Sequence, residues 1–113
     1  MKIAKTSNAK ARSYIDQRLP FEGSHLSGEW AQGYETNGRK IYVVYSYGWW
    51  PLHIYDEEAG VWFENTESYT PTTTKHRSQS RPTGVKPILC DLNTIKAVIT
   101  LGVNAVVLRG EAA

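Results

Sequence analysis

The side chains of this chain that could ligate a metal, attack a carbonyl or pass a proton are few, and their spacing does not bring them together. His25, His53, His76 and Cys90 are the metal-ligating types. None falls in the CxxC, HxxxH or HExxH spacings that put two ligands on one side of an ion, so no metal site is expected. Cys90 sits in the apolar run PILCDL, where a thiol stays protonated and inert. No serine occupies a G-x-S-x-G elbow. Glu57 and Glu58 are neighbours on a predicted turn, an arrangement of solvating charges and not of an acid/base pair. The glycines occur singly, so no loop cradles phosphate. The chain is therefore expected not to be an enzyme and to use no cofactor. A weaker catalytic option is His76 acting with a nearby hydroxyl.

Chemistry of recognition is better represented. The segment YTPTTTKHRSQSRP holds hydroxyls and cationic donors with no acid among them, and Thr72, Thr73, Thr74, Lys75, His76 and Arg77 are its densest part. Such groups together can hold phosphate oxygens; equally, the segment can be a solvated loop, with His76 buried to tie it down. Just before it, the run IYVVYSYGWWPLHIY concentrates the aromatic side chains. Adjacent residues of a strand point to opposite faces, so Trp49 and Trp50 cannot share one side of a sheet. Either helices cover both faces or a ring such as Tyr47, Trp49 or Trp50 is displayed as a binding anchor.

Charge is distributed more informatively than it is summed. The net charge of +2 over 113 residues is too small to mark a dedicated nucleic-acid binder. Asp56, Glu57, Glu58, Glu64 and Glu67 form a stretch without Lys or Arg, whereas Lys75, Arg77, Arg81 and Lys86 follow without Asp or Glu, predicting one face of each sign. A single cysteine permits no intrachain disulfide. The amino-terminal residues lack a secretory apolar stretch, and no apolar run reaches the roughly 20 residues that span a bilayer. These features predict a cytoplasmic protein that does not enter membranes.

The positioning elements follow from pattern. The length predicts one domain over 1–113 with one core. Ser7 or Asn8 caps a helix over 9–18, with Ala11, Tyr14, Ile15 and Arg18 on one side, and Pro20 ends it. Strands are expected over 29–35, 39–47, 52–55 and 61–64, with a type I′ turn at Asn37-Gly38, joined as an antiparallel meander. Residues 70–86 are expected as a long surface loop. Asp91 or Asn93 caps a second helix ending near Leu101 before Gly102, followed by a closing strand over 103–108 and a flexible tail over 110–113. The class is α+β: a small antiparallel sheet with an N-terminal and a C-terminal helix packed on it.

The segments SNAKARSYI, FEGSHLSGEW, YVVYSYGWWPLHIYD and WFENTESYTPTTTKHRSQSRP resemble a group of small proteins encoded by bacteriophages and prophages. The elements Y-V-V-Y-S-Y-G and W-x-x-N-x-x-x-Y-x-x-x-T-T-x-H carry the likeness, which runs from Ser7 to Pro82. It marks Tyr45, Ser46, Tyr47, Gly48, Trp62, Asn65, Tyr69, Thr73, Thr74 and His76. The resemblance implies a mobile-element origin and action inside a bacterial host cell, and no particular chemistry. The expectation is a non-enzymatic binder of a host protein or ribonucleoprotein complex, in the manner of an anti-CRISPR or other anti-defence inhibitor. Trp49 or Trp50 would anchor the contact and the acids from Asp56 onward would imitate phosphates. The alternative is direct nucleic-acid binding, with exposed rings stacking on bases and Lys75, His76, Arg77 and Arg81 on phosphates. Strand edges leave a homodimer open.

Overall fold

A computed structural model describes residues 4–31, 36 and 38–105. The α+β class holds, but the sheet is larger than expected and mixed. Its strands are β1 (Ala4–Lys5), β2 (Phe21–Glu22), β3 (Leu26–Ala31), β4 (Ile41–Ser46), β5 (Trp50–Asp56), β6 (Val61–Asn65) and β7 (Ile88–Cys90), and they lie side by side in chain order. Pairings from β2 to β6 are antiparallel, while β1 with β2 and β6 with β7 are parallel. Parallel neighbours need a crossover. A 3-10 turn (Asn8–Lys10) and helix α1 (Ala11–Asp16) supply the first, and helix α2 (Pro71–Ser80) supplies the second. The strand directions make β1 and β6 run the same way, so two crossovers of common hand must lie on one face of the sheet. They do: Arg12 of α1 donates to the Ser78 carbonyl of α2 at 2.8 Å. Helix α3 (Leu92–Leu101) covers the other face.

Alternation along the strands builds two cores. Val43, Ile54, Phe63 and Ile88 are successive cross-strand partners from β4 to β7, and they meet Ile95 and Val98 of α3. The opposite face carries the row Trp30, Tyr42, Tyr55 and Trp62, with ring centroids 5.4 Å apart for Trp30 and Tyr42 and 5.1 Å for Tyr55 and Trp62. Tyr42 and Trp62 are core, in one cluster with Ala11 and Ile15 of α1, and Trp30 and Tyr55 pack against it partly buried. Their polar atoms find backbone partners in the chain leaving α1: Trp30 Nε1 donates to the Arg18 carbonyl at 2.9 Å, and the Tyr42 hydroxyl to that of Leu19 at 2.7 Å. Burial holds the Tyr42 phenol well above its ordinary range, against the opposing effect of Arg18.

Several expectations are corrected. Residues 71–80 are helix, not loop: Thr70 accepts from the Thr73 N–H, the Thr73 side chain reaches back to the Thr70 N–H, and Pro71 follows the cap, three signs of a helix start. The first helix is shorter than 9–18, and Ser7 makes no side-chain cap. The expected closing strand over 103–108 is replaced at its described residues by a turn at Val103 and helical residues at 104–105. The strand that closes the sheet is β7, before α3, and 106–108 lie outside the described residues. Asp91 caps α3 by accepting from the Thr94 N–H at 2.8 Å. Gly38 has the positive φ of 80° that its turn requires; Asn37 and the 110–113 tail lie outside the described residues.

Candidate functional site

The β4–β5 hairpin and the start of α2 bring exposed rings to one end of the sheet. The turn after Ser46 closes with the Trp49 N–H on the Ser46 carbonyl at 3.3 Å, and both Tyr47 (φ 56°) and Gly48 (φ 77°) are left-handed. For tyrosine this conformation costs roughly 1–2 kcal/mol. It is held by the Tyr47 N–H donating to the His25 carbonyl at 2.8 Å and by ring contacts to His25 and His76 at 5.5 and 5.3 Å. The Tyr47 side chain stays 41% exposed.

Two residues on, Trp49 is 53% exposed and meets Tyr69, 55% exposed, edge to face at 4.8 Å. Trp50 lies beneath both, buried, at 5.6 Å from Trp49 and 5.7 Å from Tyr69. Its indole N–H has no acceptor. Tyr69 is present because the helix cap at Thr70 fixes the residue before it. The T-x-x-T spacing, with proline at the first helical position, is the sequence feature that could have placed Tyr69 beside the tryptophans.

Behind this tip, α2 sits on the sheet through polar side chains. Its buried residues are Thr73, His76 and Ser80. His76 Nδ1 lies 2.7 Å from the Ser46 hydroxyl, and its ring stacks on His25 at 5.7 Å. Desolvation, then the neighbouring His25 and Lys75, hold the His76 imidazole below its ordinary pKa. His53 Nε2 donates to the Arg77 carbonyl at 3.0 Å, in the last turn of the helix, where the Ser80 hydroxyl also reaches it at 3.3 Å. The other nitrogen, Nδ1, has no hydrogen bond and stands 3.7 Å from Glu64. Burial pushes His53 down to about 4; the Arg77 carbonyl and Glu64 favour its proton, and Arg81 and Arg77 oppose it. Glu64 is already engaged by Arg81 at 2.7 and 3.2 Å, a bond that raises the arginine's pKa further.

The expected partner-binding residues thus divide. Tyr47 and Trp49 are exposed at the tip, Trp50 underlies it, and Thr74 and Lys75 are exposed on α2. Thr73 and His76 face inward, contrary to a solvated hexad. Arg77 donates to the Asn65 carbonyl at 3.2 Å and to the Ser68 hydroxyl at 3.1 Å, and Arg81 holds Glu64, so both cations have partners within the chain, Arg81 with 45% of its side chain still exposed. Asp56 is fully buried: it accepts from Arg39 and from the N–H groups of Glu58, Ala59 and Val103. Glu58 also pairs with Arg39 at 2.9 Å and Glu57 with Lys40 at 3.8 Å. Because Ile41 pairs Asp56 while Ser46 pairs Trp50, the acidic turn and the aromatic tip lie at opposite ends of the strands, about 16 Å apart at 3.3 Å per residue. No single surface joins them.

Ser46 and His76 are a hydroxyl–imidazole pair, but the Ser46 side chain has no solvent access and lines neither of the two cavities near the tip, of about 350 and 260 Å³. Among the described residues no group of three or more His, Cys, Asp or Glu could hold a metal, and no helix is long and apolar enough to cross a membrane. Both long helices have their N-termini satisfied internally, by Thr70 and by Asp91 with Glu67, which accepts from the Leu92 N–H at 2.7 Å. No protein-family model, curated protein or solved structure matches the chain.

Proposed function

We propose that this chain is a non-enzymatic binding protein whose hairpin tip, Trp49 with Tyr69 and Tyr47, docks on a protein partner. The observation that carries this is the Trp49–Tyr69 pair, two rings more than half exposed yet held edge to face at 4.8 Å over a buried tryptophan. Rings fixed in place before binding lose little entropy on docking, and Trp and Tyr dominate interface energetics. The resemblance of 7–82 to bacteriophage proteins makes the partner a host complex, such as an antiviral nucleoprotein assembly, whose recruitment or nucleic-acid surface the tip blocks.

Phosphate imitation by the acidic stretch is not part of this reading, because Asp56 is buried and Glu57 and Glu58 are paired. Direct nucleic-acid binding is less well supported, since Arg77 and Arg81 are occupied internally and His76 is buried.

The test is co-elution of the purified protein with purified host effector complexes. Trp49→Ala with Tyr69→Ala is expected to weaken binding by at least about 30-fold, the threshold of an interface hot spot, without loss of fold. Co-elution with no complex, or equal binding by the double variant, refutes the proposal. A mobility shift of nucleic acid at low salt would transfer the rings to the stacking role instead.

A further inference from the structure

We propose that α2 is an acid-released latch: protonation of two histidines at its contact with the sheet, His53 on β5 and His76 on the helix itself, frees the helix from a sheet that stays folded and draws Tyr69 away from Trp49. The consequence for docking rests on the reading above; the release itself does not.

The geometry is unusual for an amphipathic helix in that α2 buries no apolar side chain. Its bonds to the sheet are polar: His76 to Ser46 on β4, the Arg77 carbonyl to His53 on β5, and Arg81 to Glu64 on β6. Lifting α2 therefore exposes little apolar surface of its own, while the sheet keeps α3 and the cluster around Ala11 and Ile15. A unit held in this way opens at lower free energy than the whole. Exposed bonds from Arg12 to the Ser78 carbonyl and from the Thr83 N–H and hydroxyl to the Asp16 carboxylate tie its C-terminal end to α1, while Arg77 and Thr74 bond the Ser68 hydroxyl just ahead of the helix, so Tyr69 moves with α2.

Both bonded histidines work against a proton. On His53 a proton would point from Nδ1 at Glu64, 3.7 Å away across the β5–β6 ladder, and could be held only by drawing that carboxylate from Arg81. The charged ring would also face Arg77 and Arg81 of the helix segment without solvent. On His76 a proton would face His25 from the β2–β3 loop and Lys75 from its own helix, with Tyr47 and Ser46 completing its surroundings. In the released state each imidazole regains water. With His53 near 4 when docked and 6.5 when free, lowering the pH from 7.5 to 4.5 raises the open fraction on the order of 100-fold.

Hydrogen exchange of the full chain, corrected for intrinsic rates, reads this directly. Amides of 74–80 are expected to lose on the order of 100-fold protection between pH 7.5 and 4.5, while those of β4 and β5 change little. His53→Gln with His76→Gln flattens the difference. In the unaltered protein, ring titration of His53 must track the opening of α2. Loss of protection by helix and sheet in step, or a helix equally protected at both pH values, overturns the latch. An opened helix with undiminished partner binding overturns its coupling to Tyr69. Failure to bind any partner at pH 7.5 counts against the docking reading alone.

Discussion

Replacing Asp56 by alanine separates a structural carboxylate from a binding one. The side chain has no solvent access and serves four donors: the Arg39 guanidinium and the N–H groups of Glu58 at 3.1 Å, Ala59 at 3.4 Å and Val103 at 2.9 Å. Glu58 and Ala59 are exposed, so water replaces most of what they lose. The Val103 N–H and the Arg39 head group, 21% exposed, recover less. Hydrogen bonds to a charged group are worth about 1.5–3 kcal/mol each, and breaking a buried pair costs about 3–5 kcal/mol. The expected loss is therefore about 3–5 kcal/mol, a third or more of the total for a domain near the lower part of the usual range of about 5–15 kcal/mol. Urea unfolding of both proteins measures it as a fall in midpoint at constant slope. Asp56→Asn keeps an acceptor for the turn and should lie between. A loss under about 1 kcal/mol for the alanine variant, with partner binding abolished, would refute the structural assignment and return Asp56 to the surface role.

Three further outcomes follow from particular contacts. His53, held near 4 by burial, binds its proton less readily folded than unfolded, so its contribution is complete above pH 6.5 and is lost as pH falls to about 4. That contribution is about 3 kcal/mol, and pH-dependent urea titrations should show it shrink in His53→Gln. Gly28→Ala would drive a Cβ into the Phe21 ring and the Tyr42 hydroxyl, and calorimetry should register an overpacking loss of about 1–3 kcal/mol. Thr70→Ala removes the α2 cap and should cost about 1 kcal/mol, read as faster exchange in α2 than in β5.

The sequence is legible where side-chain alternation or capping carries the information. Asn37-Gly38, the β4 run and the Asp91-capped helix ending before Gly102 are written in local patterns that the fold keeps at their described residues. Helix α2 escapes because its buried face is Thr73, His76 and Ser80: the spacing is helical but the residues are polar, so hydrophobic periodicity is silent. The short edge strands β1 and β7 escape because two or three residues hold no period. At the site, a displayed ring among Tyr47, Trp49 and Trp50 could be expected from the sequence, but not which one, because Trp49 lies in the turn before β5 and not on the strand. The engagement of Asp56, Arg77 and Arg81 by partners within the chain could not, since those partners, Arg39, Asn65 and Glu64, stand 12 to 17 positions away.

The parallel crossovers leave the sheet with very small free borders. A broad sheet of seven strands would ordinarily tempt other chains to extend it, yet its described outer members are Ala4–Lys5 and Ile88–Cys90. An incoming strand finds a foothold of two or three residues, one end bearing a lysine and the other following Pro87. Growth by strand addition is thereby discouraged, and crowding of many copies should leave separate molecules instead of stacked ribbons.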